Sequence, residues 1–123
     1  MESIRTTLIA KTLKNYPSHK IILYAIELGK GMMYSLQKAL RNENIRHYML
    51  DMCDLHVDIY LNHIKSSSEH SVFVLADFHK LSESNKNKIL MYMFENDKKL
   101  NFVICGLDSI SIDNVLLNKM ITV

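Results

Sequence analysis

The chain has no tryptophan, one proline, three glycines and two cysteines among its 123 residues. So few glycines leave little material for tight loops that bring backbone close to a ligand. Cys53 and Cys105, with no repeated spacing, make neither a disulfide framework nor a zinc motif. They point to a reducing compartment, the cytoplasm. No apolar run approaches the roughly 18 residues of a membrane span, so no membrane association is expected. Met1-Glu2-Ser3-Ile4-Arg5 opens no signal peptide, because no continuous apolar stretch follows it. Arginine is absent after Arg46. What is present is ordinary: 48% hydrophobic and 23% charged residues with a net charge of +2 suit one globular domain over residues 1–123 and select no partner.

Periodicity divides the chain into alternating elements. Ile4, Leu8, Ile9 and Leu13 have helical spacing over 3–15, with Ser3 as a cap. Pro17 and Ser18 break the chain. Lys20–Ala25 is a continuous apolar run of the kind buried on both faces of a sheet. Met32, Met33, Leu36, Ala39 and Leu40 return to helical spacing over 31–42, with Asn42 and Asn44 as stop signals. Ile45–Leu50 reads as a second strand. Asp54 is placed to cap a helix over 55–65 carrying Val57, Leu61 and Ile64. Ser66-Ser67-Ser68-Glu69 reads as a linker. Ser71–Ala76 is the clearest buried strand. Ser82 or Ser84 caps a helix through about residue 95, with Ile89, Leu90 and Met93 inward. Leu100–Cys105 is a fourth buried strand, Ser111 caps a short helix over 112–119, and Ile121-Thr122-Val123 begins a fifth strand. Strands alternating with helices imply parallel βαβ units in a three-layer α/β sandwich.

The segment from Tyr24 to Gly31 joins the first strand to the next helix. A phosphate-binding loop, G-x-x-x-x-G-K-[ST], belongs in that place. Here the first glycine position is Tyr24 and the magnesium-binding hydroxyl position is Gly31, so only Gly29 and Lys30 remain. Val72-Phe73-Val74-Leu75 then leads into Ala76-Asp77-Phe78-His79-Lys80-Leu81. That passage resembles the strand and Asp-Glu-Ala-Asp-Arg-Leu segment of AAA+ ATPases, clamp-loader subunits in particular, with His79-Lys80-Leu81 fixing the register. Asn87-Lys88-Ile89-Leu90, Asn101-Phe102-Val103-Ile104-Cys105 and Leu116-Leu117-Asn118-Lys119-Met120 are similar to later segments of the same family. The resemblance covers residues 18–123. It implies a P-loop NTPase-type sheet of five mostly parallel strands, in the order 5-1-4-3-2, in a chain lacking the family's helical lid.

In that register the magnesium-organising Asp falls on Ala76 and the catalytic Glu on Asp77. The sensor position falls near Gly106 and Leu107, and the arginine-finger region holds Asn118-Lys119. Phosphoryl transfer needs phosphate cradle, metal and water-positioning residue together. The resemblance therefore implies a degenerate member: not an enzyme, with no cofactor and no metal. Its expected role is a pseudo-ATPase module that binds a protein partner, an AAA+ replication ATPase of a helicase or clamp-loader assembly, or a second copy of itself. Gly29, Lys30, Gly31 and Asp77 are the remnant nucleotide positions. A nucleotide-binding switch without efficient hydrolysis, using Lys30 and Asp77, is the alternative from another class.

Three further groups bear on function. Lys86, Lys88, Lys98, Lys99, His79 and Lys80 make the helix over 82–95 and its flanks basic, which suggests a third role as a nucleic-acid-binding accessory protein. Glu83, Glu95 and Asp97 dilute that charge. Met91 lies about 100° from Leu90 and about 200° from Ile89 and Met93 on a helix, so it is expected outside. With Phe94 and Lys88 it forms a candidate protein interface. Asp51, Cys53, Asp54, His56 and His63 are ligand-type residues in one window, but His56 and His63 are two turns apart and match no zinc spacing.

Overall fold

The computed structural model describes residues 4–15, 22–26, 30–106 and 121–122. Helix α1 spans Ile4–Asn15, strand β1 Ile22–Ile26, α2 Lys30–Asn42 and β2 His47–Asp51. A single 3-10 turn, Asp54–His56, leads into α3, Val57–Ser66. Strand β3 is Val72–Ala76, and a second 3-10 turn, Phe78–Lys80, precedes α4, Glu83–Glu95. Strand β4 is Asn101–Gly106 and β5 is the pair Ile121–Thr122. The sheet order is β2-β3-β4-β1-β5, every pairing is parallel, and this is the order the sequence implied. Four strands are full length and the fifth is a two-residue stub.

The apolar strand runs feed two cores, one on each face, because successive side chains point to opposite sides. Phe73 and Leu75 of β3, and Phe102 and Ile104 of β4, face α3 and α4 with Ile64, Ile89, Leu90 and Met93. Val72, Val74, Val103 and Cys105 face α1 and α2 with Ile9, Leu13, Leu36 and Leu40. The three layers are thus α1 and α2, the sheet, and α3 and α4. An aromatic ladder crosses the sheet at one register: Tyr48 stacks on Phe73 at 5.3 Å and Phe73 on Phe102 at 5.9 Å.

The first helix departs from its expected phase. Its buried residues are Thr6, Ile9, Ala10 and Leu13, spaced i, i+3, i+4, i+7. Ile4 and Leu8, which share the helical spacing of Ile9 and Leu13, are 89% and 56% exposed. At about 100° per residue they lie outside the arc that the sheet covers. The serine stretch is also more than a linker. Ser66 ends α3, and Ser67 Oγ donates to the Ile64 carbonyl at 2.7 Å, satisfying a helix end.

Ser82 is the cap of α4, accepting from the Asn85 N–H at 3.3 Å. Asp54 caps no part of α3, contrary to expectation. It begins the 3-10 turn and reaches across to α4 instead, where its carboxylate accepts from the Ser82 N–H at 2.9 Å and from Asn85 Nδ2 at 2.8 Å. The hydrogen bonds from Asn85 and then Ser82 hold the Asp54 carboxyl below its usual range. The expected cap at Ser3, the break at Pro17 and Ser18, and the helix over 112–119 lie outside the described residues.

Candidate functional site

In open α/β sheets, sites form beyond the carboxyl ends of the strands. Here those ends are Ile26 of β1, Ala76 of β3 and Gly106 of β4. Gly29 and Leu107 lie outside the described residues. Lys30 opens α2, but its side chain is not among the described atoms. Gly31 is the second residue of α2 and exposed. A Cβ built on it would meet nothing within 4 Å, so nothing among the described residues reserves that position for glycine.

Ala76 is buried at the end of β3, paired with Asp51. Asp77 follows it in a left-handed conformation, φ 56° and ψ 41°, which aspartate tolerates better than most residues. Asp77 is buried, and its carboxylate is 3.3 Å from Lys80 Nζ across the 3-10 turn. The Lys80 N–H also donates to the Asp77 carbonyl at 3.0 Å. Asp77 therefore serves its own turn. Gly31 and Ala76, at the positions where a magnesium nucleotide needs oxygen ligands, offer no side-chain oxygen.

Two residues the sequence did not nominate lie near this edge. Burial pushes the Cys105 thiol up to about 12, with the charge of Arg5 pulling it down and that of Asp77 pushing it up. Arg5 of α1 and Asp77, just beyond β3, thus act on one buried thiol near the end of β4. Nothing in the local pattern of α1 signals this, because only the tertiary fold carries the first helix to this edge.

The lysines of α4 and its flanks do not form an open basic face. Lys86 is buried, with its ammonium 3.5 Å from Glu83, and Lys88 binds Asp58 of α3 at 2.7 Å. That bond holds the Asp58 carboxyl below its usual range. Lys98 Nζ donates to the Lys65 carbonyl and, at 2.9 Å, to that of Ser67.

Met91 is 47% exposed. Its companions differ: Phe94 is half-buried and packs on the core beneath the sheet. Lys88 and Tyr92 meet Asp58 and Lys65 of α3, and Asn85 meets Asp54 of the turn before it. Lys88, Met91 and Phe94 follow one another at i, i+3 and i+6 along α4, the first two exposed and the third half-buried. More exposed apolar side chains were missed: Leu55 at 88% and Ile59 at 64%, one helical turn apart, and Tyr34 on α2. Among the ligand-type residues, His63 packs edge-on against Tyr48 and Phe73. No three His, Cys, Asp or Glu side chains converge as a metal site among the described residues. Nor is any described helix long and apolar enough to cross a membrane.

The backbone arrangement has parallels among solved structures. A threonine-to-valine variant of RuvB from Thermotoga maritima matches 96% of this chain with a TM-score of 0.61 at 12% identity. A Rhizobiales Trip13 matches 96% with a TM-score of 0.51 at 8% identity. The fold is AAA+-like. The chain spans 41% of that RuvB and 58% of that Trip13, less than two thirds of either. No family model matches the sequence, and no curated protein matches it.

Proposed function

We propose that this chain is a pseudo-ATPase: an AAA+-like module that does not turn over nucleotide and acts by docking on another protein. The observation that carries the reading is at the carboxyl edge of the sheet. Gly31 and Ala76 stand where a metal nucleotide requires oxygen ligands, and Asp77 is closed into an ion pair with Lys80. With the catalytic constellation incomplete, what the fold still offers is its surface. Leu55 and Ile59 project one turn apart from the layer that contains α3 and α4, and exposed apolar groups are the usual anchors of protein contacts. The partner that fits the resemblance is an AAA+ ATPase of a replication, helicase or clamp-loader assembly, whose subunits pack against modules of this fold. Occupancy of a subunit position is then the mechanism. Such a role rests on analogy of fold, joined to the chemistry of these positions.

The nucleic-acid reading is the weaker one, because Glu83 and Asp58 offset the charges of Lys86 and Lys88. The nucleotide-switch reading retains Lys30 at the start of α2.

The test pairs phosphate release with affinity capture on immobilised replication ATPases from the same source. No ATP-dependent phosphate release is expected, and capture should fall at least tenfold, about 1.4 kcal/mol, in Leu55→Glu/Ile59→Glu. Met91→Glu, on the other flank of α4, is the comparison. Both variants should keep their melting temperature, since surface changes cost within about 0.5 kcal/mol. Turnover near 1 per second, at the low end of typical enzymes, would refute the non-catalytic half. Undiminished capture in both variants would refute the docking half.

A further inference from the structure

The amino edge of the sheet, opposite the edge described above, carries a depression of about 210 Å³. Lys14, Asn44, Arg46, His70 and Asn101 stand around an aliphatic floor, and none of the eight lining residues is acidic. The fold builds this cluster from distant parts of the chain. Lys14 comes from the last turn of α1, Asn44 and Arg46 from the link between α2 and β2, His70 from the approach to β3, and Asn101 from the start of β4. Val72 pairs with both His47 and Asn101, which aligns the three strand starts at one level.

The positions are fixed rather than incidental. Lys14 Nζ donates to the Glu43 carbonyl just beyond α2 at 2.9 Å. An ammonium has three donors, so this bond anchors the charge and leaves it donors to offer. The Arg46 guanidinium lies over the Tyr48 ring, 6.0 Å from its centroid, a cation–π contact that helps fix its position. Asn44 and His70 both turn the chain at positive φ, 58° and 70°. The His70 N–H is tied to the Lys99 carbonyl at 2.8 Å and the Asn101 N–H to that of Ser71 at 3.0 Å. Glu43 and Glu69 adjoin Asn44 and His70 in sequence, yet neither lines the depression.

A concave site with a guanidinium fork, an anchored ammonium and side-chain amides, and with no carboxylate among its described lining residues, is complementary to an oxyanion. Its volume is below the roughly 300–1,000 Å³ of pockets that enclose a drug-sized ligand, so it suits a single anionic group rather than a whole nucleotide. We infer that this depression binds a phosphate group, as free phosphate or pyrophosphate. The site is separate from the P-loop position and does not depend on the pseudo-ATPase reading.

The experiment is a ¹⁵N-amide titration of the full chain with phosphate and then pyrophosphate at constant ionic strength, with chloride as control. Saturable shifts centred on Asn44–Arg46, His70–Val72 and Asn101 are expected. The double substitution Lys14→Ala/Arg46→Ala should weaken binding at least tenfold, and Lys14→Gln/Arg46→Gln repeats the test if the first variant melts early. Shifts that do not saturate, that chloride reproduces, or that both double variants retain overturn the inference. So do shifts centred on residues 27–33, which would assign the anion to the start of α2. A response to single-stranded DNA but to neither small anion also overturns it, in favour of a nucleic-acid backbone.

Discussion

If Gly31 is merely a helix residue where a phosphate-binding hydroxyl once belonged, replacing it should help the fold. It occupies the second position of α2, is exposed, and a Cβ there meets nothing within 4 Å. Glycine inside a helix costs about 0.5–1 kcal/mol relative to alanine. An unfolding entropy of about 2.1 cal/mol/K per residue gives this 123-residue chain about 0.26 kcal/mol/K. Gly31→Ala should therefore raise the melting temperature by about 2–4 °C, the lower value applying if the first turn is only partly formed. Gly31→Ser should give about half that gain, given its weaker helix propensity. Serine also restores a hydroxyl at the magnesium position. With Ala76 unchanged, Gly31→Ser should still show no magnesium-dependent stabilisation by ATP and no phosphate release. Scanning calorimetry with and without magnesium and ATP reads both quantities. A lower melting temperature in Gly31→Ala would show that the glycine is required by a close approach, and ATP turnover in Gly31→Ser would refute the argument from missing ligands.

Two other expectations follow from the packing and the charges. Phe73→Ala removes the centre of the aromatic ladder, where Tyr48, His63 and Phe102 all meet its ring; a loss of about 3–5 kcal/mol, read by urea unfolding, is a large part of a typical total of about 5–15 kcal/mol, and a loss under about 1 kcal/mol would mean that the ring is not core. The Asp54 and Asp58 carboxyls are both lowered, by hydrogen bonds from Asn85 and from Lys88 respectively, so their contribution to stability is present above the unfolded carboxylate value of about 3.9 and is lost as pH falls through the lower folded values; Asp54→Asn should flatten the acid limb of melting temperature against pH, and an unchanged limb would remove Asp54 from that account.

The sheet was legible because its strands are buried on both faces. Ser71–Ala76 and Leu100–Cys105 read as buried strands from the apolar runs inside them, and runs of that kind need no knowledge of their neighbours. The order of the strands was what the resemblance to AAA+ ATPases implied, and hydrophobicity did not supply it. Helix α1 was harder. Ile4, Leu8, Ile9 and Leu13 are its large apolar residues, yet at about 100° per residue they cover half the helix circumference. The core takes the arc centred on Leu13 and accepts Thr6 within it, a choice that periodicity of apolar residues alone could not make. Asp54 failed for a similar reason. Its residue type announced a cap, but the helix it serves is the one beside it in space rather than the next in sequence.

The two ends of the sheet show why charge read along a sequence is a poor guide to charge at a surface. The densest run of lysines surrounds α4, and those side chains meet Glu83, Asp58 and backbone carbonyls. The carboxylates of Glu83 and Asp58 offset the charges of Lys86 and Lys88, which lessens the sequence-independent attraction between this helix and nucleic-acid phosphates. Lys14, Arg46 and His70 lie far apart in the chain and form no recognisable run, yet the amino edge of the sheet gathers them around one concavity free of acidic walls. The fold that sets Gly31 and Ala76 at one edge of the sheet gathers Lys14 and Arg46 at the other. An anion sought by motif would be sought at Gly29–Gly31; sought by geometry, it belongs between Lys14 and Arg46.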